Sequence, residues 1–184
     1  MKPIVLLPIL FFAMLRANAQ TGNTAIIYQT GHSYTLTVPE GWVSDSLSGI
    51  SMMLDMCFHP DTTKWTKSPV VMYSTVTHKT DSNQTIDDVI KMDSEKFRES
   101  SPGVLVEKEK VIYTYPQNKP AHSVRFTNEA YKNYESVAYI EEKYHVIMIV
   151  VGSRDKEIYE ANLPAFKRLT QSYYNLEQRY SIRP

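Results

Sequence analysis

The sequence has little of what several classes of enzyme and disulfide-stabilised proteins require. Its 184 residues include a single cysteine, Cys57, so no disulfide can form within the chain. Only six glycines occur, and no phosphate-binding glycine-rich loop, Gly-x-Ser-x-Gly elbow or His-Glu-x-x-His motif is found. These absences argue against a P-loop protein, a serine hydrolase of the elbow type and a zinc protease. The hydrophobic core alone must therefore stabilise the fold.

The sequence also lacks an excess of charge of either sign. Lys and Arg number 20, and Asp and Glu number 20, so the formal net charge is zero. Nucleic-acid binding requires a clustered basic face, and electrostatic attachment to a membrane requires a polybasic segment. The sequence therefore predicts no nucleic-acid partner and no electrostatic membrane binding. One charged run, Glu-Lys-Glu-Lys at residues 107–110, is typical of a sheet edge or a protruding hairpin arm, where charges discourage aggregation.

No apolar run is long enough to cross a membrane. The longest, residues 4–15, has 12 residues, whereas a spanning helix needs about 20. The run follows Lys2 and precedes Ala-Asn-Ala at residues 17–19, which is a small-x-small cleavage signal. The sequence therefore predicts a signal peptide over residues 1–19, cleavage before Gln20, and a secreted or periplasmic protein.

The predicted mature chain, residues 20–184, has the length of one domain. Its formal net charge is −2, because Lys2 and Arg16 leave with the signal peptide. It contains no transmembrane segment. We expect a single α+β domain with its core in about residues 25–175.

The most apolar stretch of the mature chain, residues 144–151, predicts a central strand buried on both faces. Its alternation places Ile147, Ile149 and Val151 on one face of the sheet and Val146, Met148 and Val150 on the other. The next segment has an apolar stripe at helical spacing: Tyr159, Leu163, Phe166, Leu169 and Tyr173. Because Pro164 has no N–H and Asn162 suits an N-cap, the long helix is predicted to begin or restart near Leu163.

The remaining segments predict strands around one further helix. A hairpin is expected at residues 25–38, turning at Gly31-His32, and further strands at 104–115, 121–127 and 134–141. Thr85 is a suitable N-cap for a helix that ends before Pro102-Gly103. The predicted fold is α+β: one antiparallel sheet of six to eight strands, sandwiched by two main helices.

Three local patterns resemble one known family. They are Tyr-x-Leu-x-Val-Pro-x-Gly-Trp at residues 34–42, Thr-Ile-Asp-Asp at 85–88 and Tyr-x-x-x-Leu-Pro-x-Phe-x-x-x-x-x-Ser at 159–172. The sequence resembles the PsbP-like fold family, which also includes DcrB-type bacterial envelope proteins and a eukaryotic Ran-binding import factor. The resemblance covers about residues 25–175 and implies a non-enzymatic accessory, chaperone or binding role. It assigns no function to a particular residue.

One segment suggests a metal site. Residues 50–58 alternate apolar and polar side chains, which predicts a strand with Asp55, Cys57 and His59 on one face. Adjacent members of this set would lie about 6.5–7 Å apart at Cα. Carboxylate, thiolate and imidazole groups suit zinc or copper. A metal-binding protein or metal-dependent enzyme is therefore an alternative function, and otherwise no cofactor is predicted. The competing interpretation has Asp55 and His59 in solvent and Cys57 filling a gap in the core.

Aromatic residues near turns suggest a binding surface. The chain has 13 tyrosines and two tryptophans, and Tyr and Trp often carry interface energy. The predicted binding residues are Trp65, Tyr131, Tyr113 and Tyr115, whereas Trp42 is expected in the core. The competing interpretation is that these rings close the ends of the sheet. The sequence thus favours a non-enzymatic binding or accessory protein whose partner is another envelope or secreted protein. An immunity-type or chaperone partner of a secreted protein is a further alternative.

Overall fold

A computed structural model describes residues 23–81 and 83–176, and β-strands account for more of that part of the chain than helices do. In chain order the strands are β1 (Thr24–Gln29), β2 (His32–Thr37), β3 (Trp42–Asp45), β4 (Met56–Pro60), β5 (Val70–His78), β6 (Leu105–Lys108), β7 (Ile112–Tyr113), β8 (Pro120–Asn128), β9 (Asn133–Glu141), β10 (His145–Ser153) and β11 (Tyr174–Asn175). The α-helices in these ranges are α1 (Ser46–Ser51), α2 (Ile86–Ser100) and α3 (Lys156–Gln171), and a 3₁₀ helix spans Trp65–Lys67. The predicted signal peptide lies outside the described residues.

Eight strands form one antiparallel sheet, called here the main sheet. Its order is β3-β4-β5-β10-β9-β8-β6, and β7 pairs with β8. The strand β10 lies in the middle and pairs along its length with β5 and β9. The charged strand β6 lies at the edge, as its Glu and Lys residues predict. With α2 and α3 on opposite faces, the predicted α+β architecture is confirmed.

The central strand divides the core into two layers. Ile147, Ile149 and Val151 belong to the cluster that includes Phe166 and Leu169 of α3. Val146 and Val150 belong to the cluster under α2, and Met148 packs against that cluster while partly buried. The predicted alternation is therefore confirmed, and both faces of β10 are covered. The part of the chain that the structure describes contains no helix with the length and apolar character of a membrane span.

The start of α2 follows directly from its sequence. The Thr85 hydroxyl accepts a hydrogen bond from the Asp88 N–H, and the Asp88 carboxylate accepts one from the Thr85 N–H at 2.9 Å. This reciprocal capping box satisfies two donors that the helix leaves unpaired. The helix then buries Ile86, Val89 and Ile90 on the sheet. The predicted N-cap is confirmed.

The start of α3 differs from the prediction. The helix begins at Lys156, where the Asp155 side chain accepts a hydrogen bond from the Ile158 N–H at 3.0 Å. Pro164 lies inside the helix rather than at its start. Asn162 does not cap a helix; its side chain donates to the Ile158 carbonyl at 2.7 Å. The burial of Tyr159, Phe166 and Leu169 holds the helix on the sheet despite the missing proline donor.

The predicted strand over residues 50–58 is wrong in its first half. Its early residues belong to α1, which is capped by the Asp45 carboxylate accepting from the Ser48 N–H at 2.9 Å. Gly49 lies so close to β4 that an added Cβ would be 3.3 Å from the Cα of Met56. The chain then reverses through Met53, which has a φ of +57°. The strand β4 therefore begins only at Met56, and Ile50, Met52 and Met53 before it face solvent.

The first hairpin does not join the main sheet. Strands β1 and β2 form a separate sheet of three strands with β11, in the order β1-β2-β11. The inward residues of this small sheet, Ala25, Ile27, Tyr34 and Leu36, extend the core layer under α3. The hairpin therefore packs over one end of the main sheet.

Candidate functional site

Three histidines from three different strands meet at one end of the main sheet. His78 ends β5 and His145 begins β10, and the two are directly paired across the antiparallel ladder. Gly31, with a φ of +88°, turns the β1–β2 hairpin and brings His32 beside them. The centroid of the His32 ring lies 6.0 Å from that of His78 and 5.6 Å from that of His145. The centroids of the His78 and His145 rings are 6.2 Å apart. We call these three residues the histidine cluster, and this end of the main sheet the histidine end.

A buried carboxylate holds the first of these histidines. Asp55 lies just before β4, and its Oδ2 is 3.1 Å from Nε2 of His32. The Tyr34 hydroxyl donates to the same oxygen at 2.8 Å. Burial, and then the charge of Asp55, raise the pKa of Tyr34 well above its ordinary value, so Tyr34 remains a donor. His32 is only 5% exposed, and its Nδ1 has no hydrogen-bond partner among the residues that the structure describes.

A second buried carboxylate supports the same region. The Tyr34 ring lies 5.4 Å from the Tyr173 ring, and the Tyr173 hydroxyl donates to Oε1 of Glu142 at 2.8 Å. The Lys119 ammonium group pairs with that same oxygen at 2.5 Å. The Glu142 N–H also donates to the His145 carbonyl at 2.8 Å, which fixes the turn between β9 and β10. These contacts give the histidine end a rigid frame.

Large apolar side chains lie exposed around this frame. Tyr28 precedes the β1–β2 turn and is 81% exposed, and Met53 in the α1–β4 turn is 92% exposed. Tyr144 lies in the β9–β10 turn and is 62% exposed. The pairing registers put the β9–β10 turn at the histidine end. The contacts of His32 with His78, His145 and Asp55 put the other two turns there. Interfaces are enriched in tyrosine and methionine, so this end has the composition of a recognition surface.

The structure separates the four predicted binding residues into two pairs. Tyr113 and Tyr115 are exposed and lie at the histidine end, because Tyr113 pairs with Pro120 at the start of β8. Tyr131 is exposed in the β8–β9 turn at the opposite end. Trp65 also lies at that opposite end, just before β5, but it is half-buried rather than exposed. Trp42 is buried, as expected.

The structure does not bring the three predicted metal ligands to one strand face. Asp55 precedes β4 and contacts His32 and Tyr34 instead. Burial, and then the charge of Asp45, raise the pKa of the fully buried Cys57 to about 12, so its thiol stays protonated. The third residue, His59, lies 3.8 Å from Asp45 and 2.9 Å from the Pro60 carbonyl. Within residues 23–81 and 83–176, no three His, Cys, Asp or Glu side chains form a ready-made metal centre.

The sequence did not reveal the histidine cluster, because its members are far apart in the chain and follow no spacing motif. The available signal was positional. His78 directly follows a run of β-branched residues at 70–77, and His145 lies near the start of the predicted strand 144–151. Antiparallel pairing of these two segments places the two histidines opposite each other. The position of His32 at a hairpin turn could not be related to them without the tertiary structure.

A separate acidic cluster lies under α2. Burial, and then the nearby Asp93, raise the pKa of Glu135 to about 7, while Tyr73 donates a hydrogen bond to its carboxylate. Burial also raises the pKa of Asp93, which accepts a hydrogen bond from the Tyr139 hydroxyl. These carboxyl groups share the core layer of α2 and lie on the other face of the sheet from α3. Glu135 can therefore hold a proton near neutral pH.

Comparison with solved structures shows a shared fold. The solution structure of cyanobacterial PsbP (CyanoP) from Synechocystis sp. PCC 6803 matches 86% of this chain and 95% of its own, with 11% identity and a TM-score of 0.56. The crystal structure of the Saccharomyces cerevisiae Ran-binding protein Mog1p matches 84% of this chain and 96% of its own, with 12% identity and a TM-score of 0.50. No protein-family model and no curated protein sequence matches the chain. The DcrB-type part of the resemblance stays a prediction. The element order and these two structures together show that the chain has the PsbP-like fold.

Proposed function

We propose that the protein is a secreted or periplasmic binding or accessory protein without enzymatic activity, and that it contacts a protein partner through its histidine end. The observation that carries this proposal is a group of exposed aromatic and methionine side chains at that end, contributed by different segments of the chain. Tyr28 lies beside the β1–β2 turn, Met53 and Tyr144 lie in two other turns, and Tyr113 and Tyr115 add a fourth segment. An exposed apolar group of this kind is typical of an interaction site.

The frame beneath these side chains favours recognition over catalysis. The two polar networks built on Asp55 and Glu142 hold the turns in place, so a partner meets a preorganised surface. The single thiol is unsuited to nucleophilic catalysis, because burial raises its pKa whereas an activated cysteine has a lowered one. An immunity-type or chaperone role is included in this proposal, since both act through contact with another protein.

The proposal has support from two further sources. Mog1p, which shares the fold, is described as a Ran-binding protein, so this architecture can serve protein recognition. The compartment rests on the sequence, where the apolar run and the Ala-Asn-Ala motif predict removal of residues 1–19. A partner would then be another envelope or secreted protein.

Site-specific photo-cross-linking in the producing cells tests the proposed surface. A photoreactive phenylalanine analogue would replace Tyr28 or Tyr144, and Tyr131 serves as the matched control. Tyr144 and Tyr131 are 62% and 58% exposed, both lie in turns between strands, and they occupy opposite ends of the sheet. We expect a discrete protein adduct from Tyr28 and Tyr144 and none from Tyr131. Adducts from Tyr131 alone would move the binding surface to the end with Trp65, and the absence of any discrete adduct would contradict the proposal.

A further inference from the structure

We propose that the histidine cluster binds one divalent transition-metal ion through the imidazoles of His32, His78 and His145. Neutral imidazole is a preferred ligand of zinc, copper and nickel. The three ligands come from three strands, β2, β5 and β10, so the folded sheet brings them together. This site differs from the sequence-based prediction, because Cys57 and His59 take no part in it.

The spacing of the rings is close to that of a three-imidazole site. With metal–nitrogen distances of about 2.0–2.1 Å, rings that share one ion have centroids roughly 5–5.5 Å apart. The observed separations are 5.6, 6.0 and 6.2 Å. The ring nitrogens do not converge on one point, so binding requires the imidazoles to rotate and to approach each other by a fraction of an ångström to about 1 Å. His78 is exposed and ends its strand, and the χ2 torsion of histidine is broad, so the largest rotation falls on His78.

Asp55 prepares His32 for this role. With the Nε2 proton directed at the Asp55 carboxylate, the lone pair of His32 lies on Nδ1, the atom that would bind the ion. A buried polar atom without a partner costs free energy, and Nδ1 of His32 is such an atom in the part of the chain that the structure describes. A carboxylate that orients a ligating histidine is a common arrangement around protein-bound metals. Asp55 is thus a positioning residue whose negative charge also offsets that of the ion.

A cavity opens beside His32 and Asp55. The cavity has a volume of about 420 Å³, and its lining includes Gln29, Thr30, His32, Met53, Leu54 and Asp55. Solvent thus reaches the cluster at His32 from this cavity and at His78 directly, because the His78 side chain is exposed. Water can fill the coordination position that three imidazoles leave open.

Titration of the tag-free secreted protein with Zn²⁺ tests the proposal. After chelator treatment and buffer exchange, isothermal titration calorimetry at pH 7.5 should show one ion bound per chain with micromolar or tighter affinity. His78→Gln should weaken binding about tenfold or more, and Asp55→Asn should weaken it by a similar or smaller factor. His59→Gln and His122→Gln are matched controls, because each removes one of the two histidines outside the cluster. Both variants should bind Zn²⁺ with the affinity of the wild type.

A second readout keeps the test independent of variants that fail to fold. His32 and His145 are buried, so their glutamine variants are interpreted only if circular dichroism shows native structure. In the wild-type protein, Zn²⁺ should raise the melting temperature by preferential binding to the folded state, and His78→Gln should abolish most of that rise. The proposal is overturned by the absence of stoichiometric binding, by equal affinity in His78→Gln, or by an equal loss in His122→Gln.

Discussion

Replacing Glu135 by glutamine should stabilise the protein more at pH 8 than at pH 5. Burial and the neighbouring Asp93 raise the pKa of Glu135 from an ordinary value of 4.5 to about 7 in the folded chain. The unfolded chain therefore releases this proton at a lower pH than the folded chain does. Stability from this group is fully present below about pH 4.5, falls as the pH rises, and is lost once the pH passes the folded pKa. Glutamine carries no titrating proton and removes that loss.

The size of the effect follows from the shift. A change from 4.5 to about 7 corresponds to at most about 3 kcal/mol. The partial exposure of Glu135 and its interaction with Asp93 both reduce the net effect. We therefore expect Glu135→Gln to increase the free energy of unfolding by roughly 1–2 kcal/mol more at pH 8 than at pH 5. Urea unfolding of wild type and Glu135→Gln at both pH values measures it, with Glu99→Gln on the exposed surface of α2 as the control. An equal change in unfolding free energy at both pH values would refute this reasoning.

Further predictions concern the core, a helix cap, the tryptophans and processing. Ile149→Asp places an unpaired carboxylate where the wild-type residue is fully buried, and it should cost several kcal/mol and prevent cooperative folding; native-like melting would show that β10 is not central. Thr85→Ala should cost about 1 kcal/mol in urea unfolding, through loss of the capping box, whereas an unchanged midpoint would show that the cap is dispensable. In acrylamide quenching, the Trp42→Phe variant should be quenched more than Trp65→Phe, since Trp65 is the more exposed ring; the reverse order would contradict their placement. Mass spectrometry of the protein recovered from the producing cells should find Gln20 at the N-terminus, and an intact Met1 would exclude signal-peptide cleavage.

The sequence predicted those elements in which local pattern and tertiary burial agree. Residues 146–151 are all apolar, and the structure covers them on both sides as part of the middle strand of the main sheet. Thr85 and Asp88 contain the whole capping interaction within four residues, so no tertiary information was needed. These features depend on interactions between near neighbours or on hydrophobicity alone.

Prediction failed where apolar residues face solvent. Ile50, Met52 and Met53 fit an alternating strand pattern, yet they are 70%, 54% and 92% exposed. Pattern reasoning assumes that apolar residues mark the buried face, and a recognition surface breaks that assumption. The Asp45 cap and the tight packing of Gly49 instead select a short helix at that position. The misassigned segment therefore coincides with the end of the molecule that we propose to bind a partner.

The candidate site was only partly predictable for a related reason. Tyr113 and Tyr115 were recognisable as aromatic residues beside a turn, and they lie at the histidine end. The partner of Asp55 was not recognisable, because His32 reaches it from a hairpin that belongs to a different sheet. Contacts between elements distant in sequence depend on packing that no local pattern records.

The affinity of the cross-linked partner for defined variants tests the central claim most directly. Once recovered by cross-linking, the partner can be titrated against wild type, a Tyr28→Ser/Tyr144→Ser double variant and the Tyr131→Ser control. Removal of two exposed rings from an interface should weaken binding at least about tenfold, because tyrosines frequently carry more than 1 kcal/mol each. The account predicts that loss in the double variant and an unchanged Kd in Tyr131→Ser. Equal affinity for the double variant and the wild type, or a loss confined to Tyr131→Ser, would contradict recognition through the histidine end.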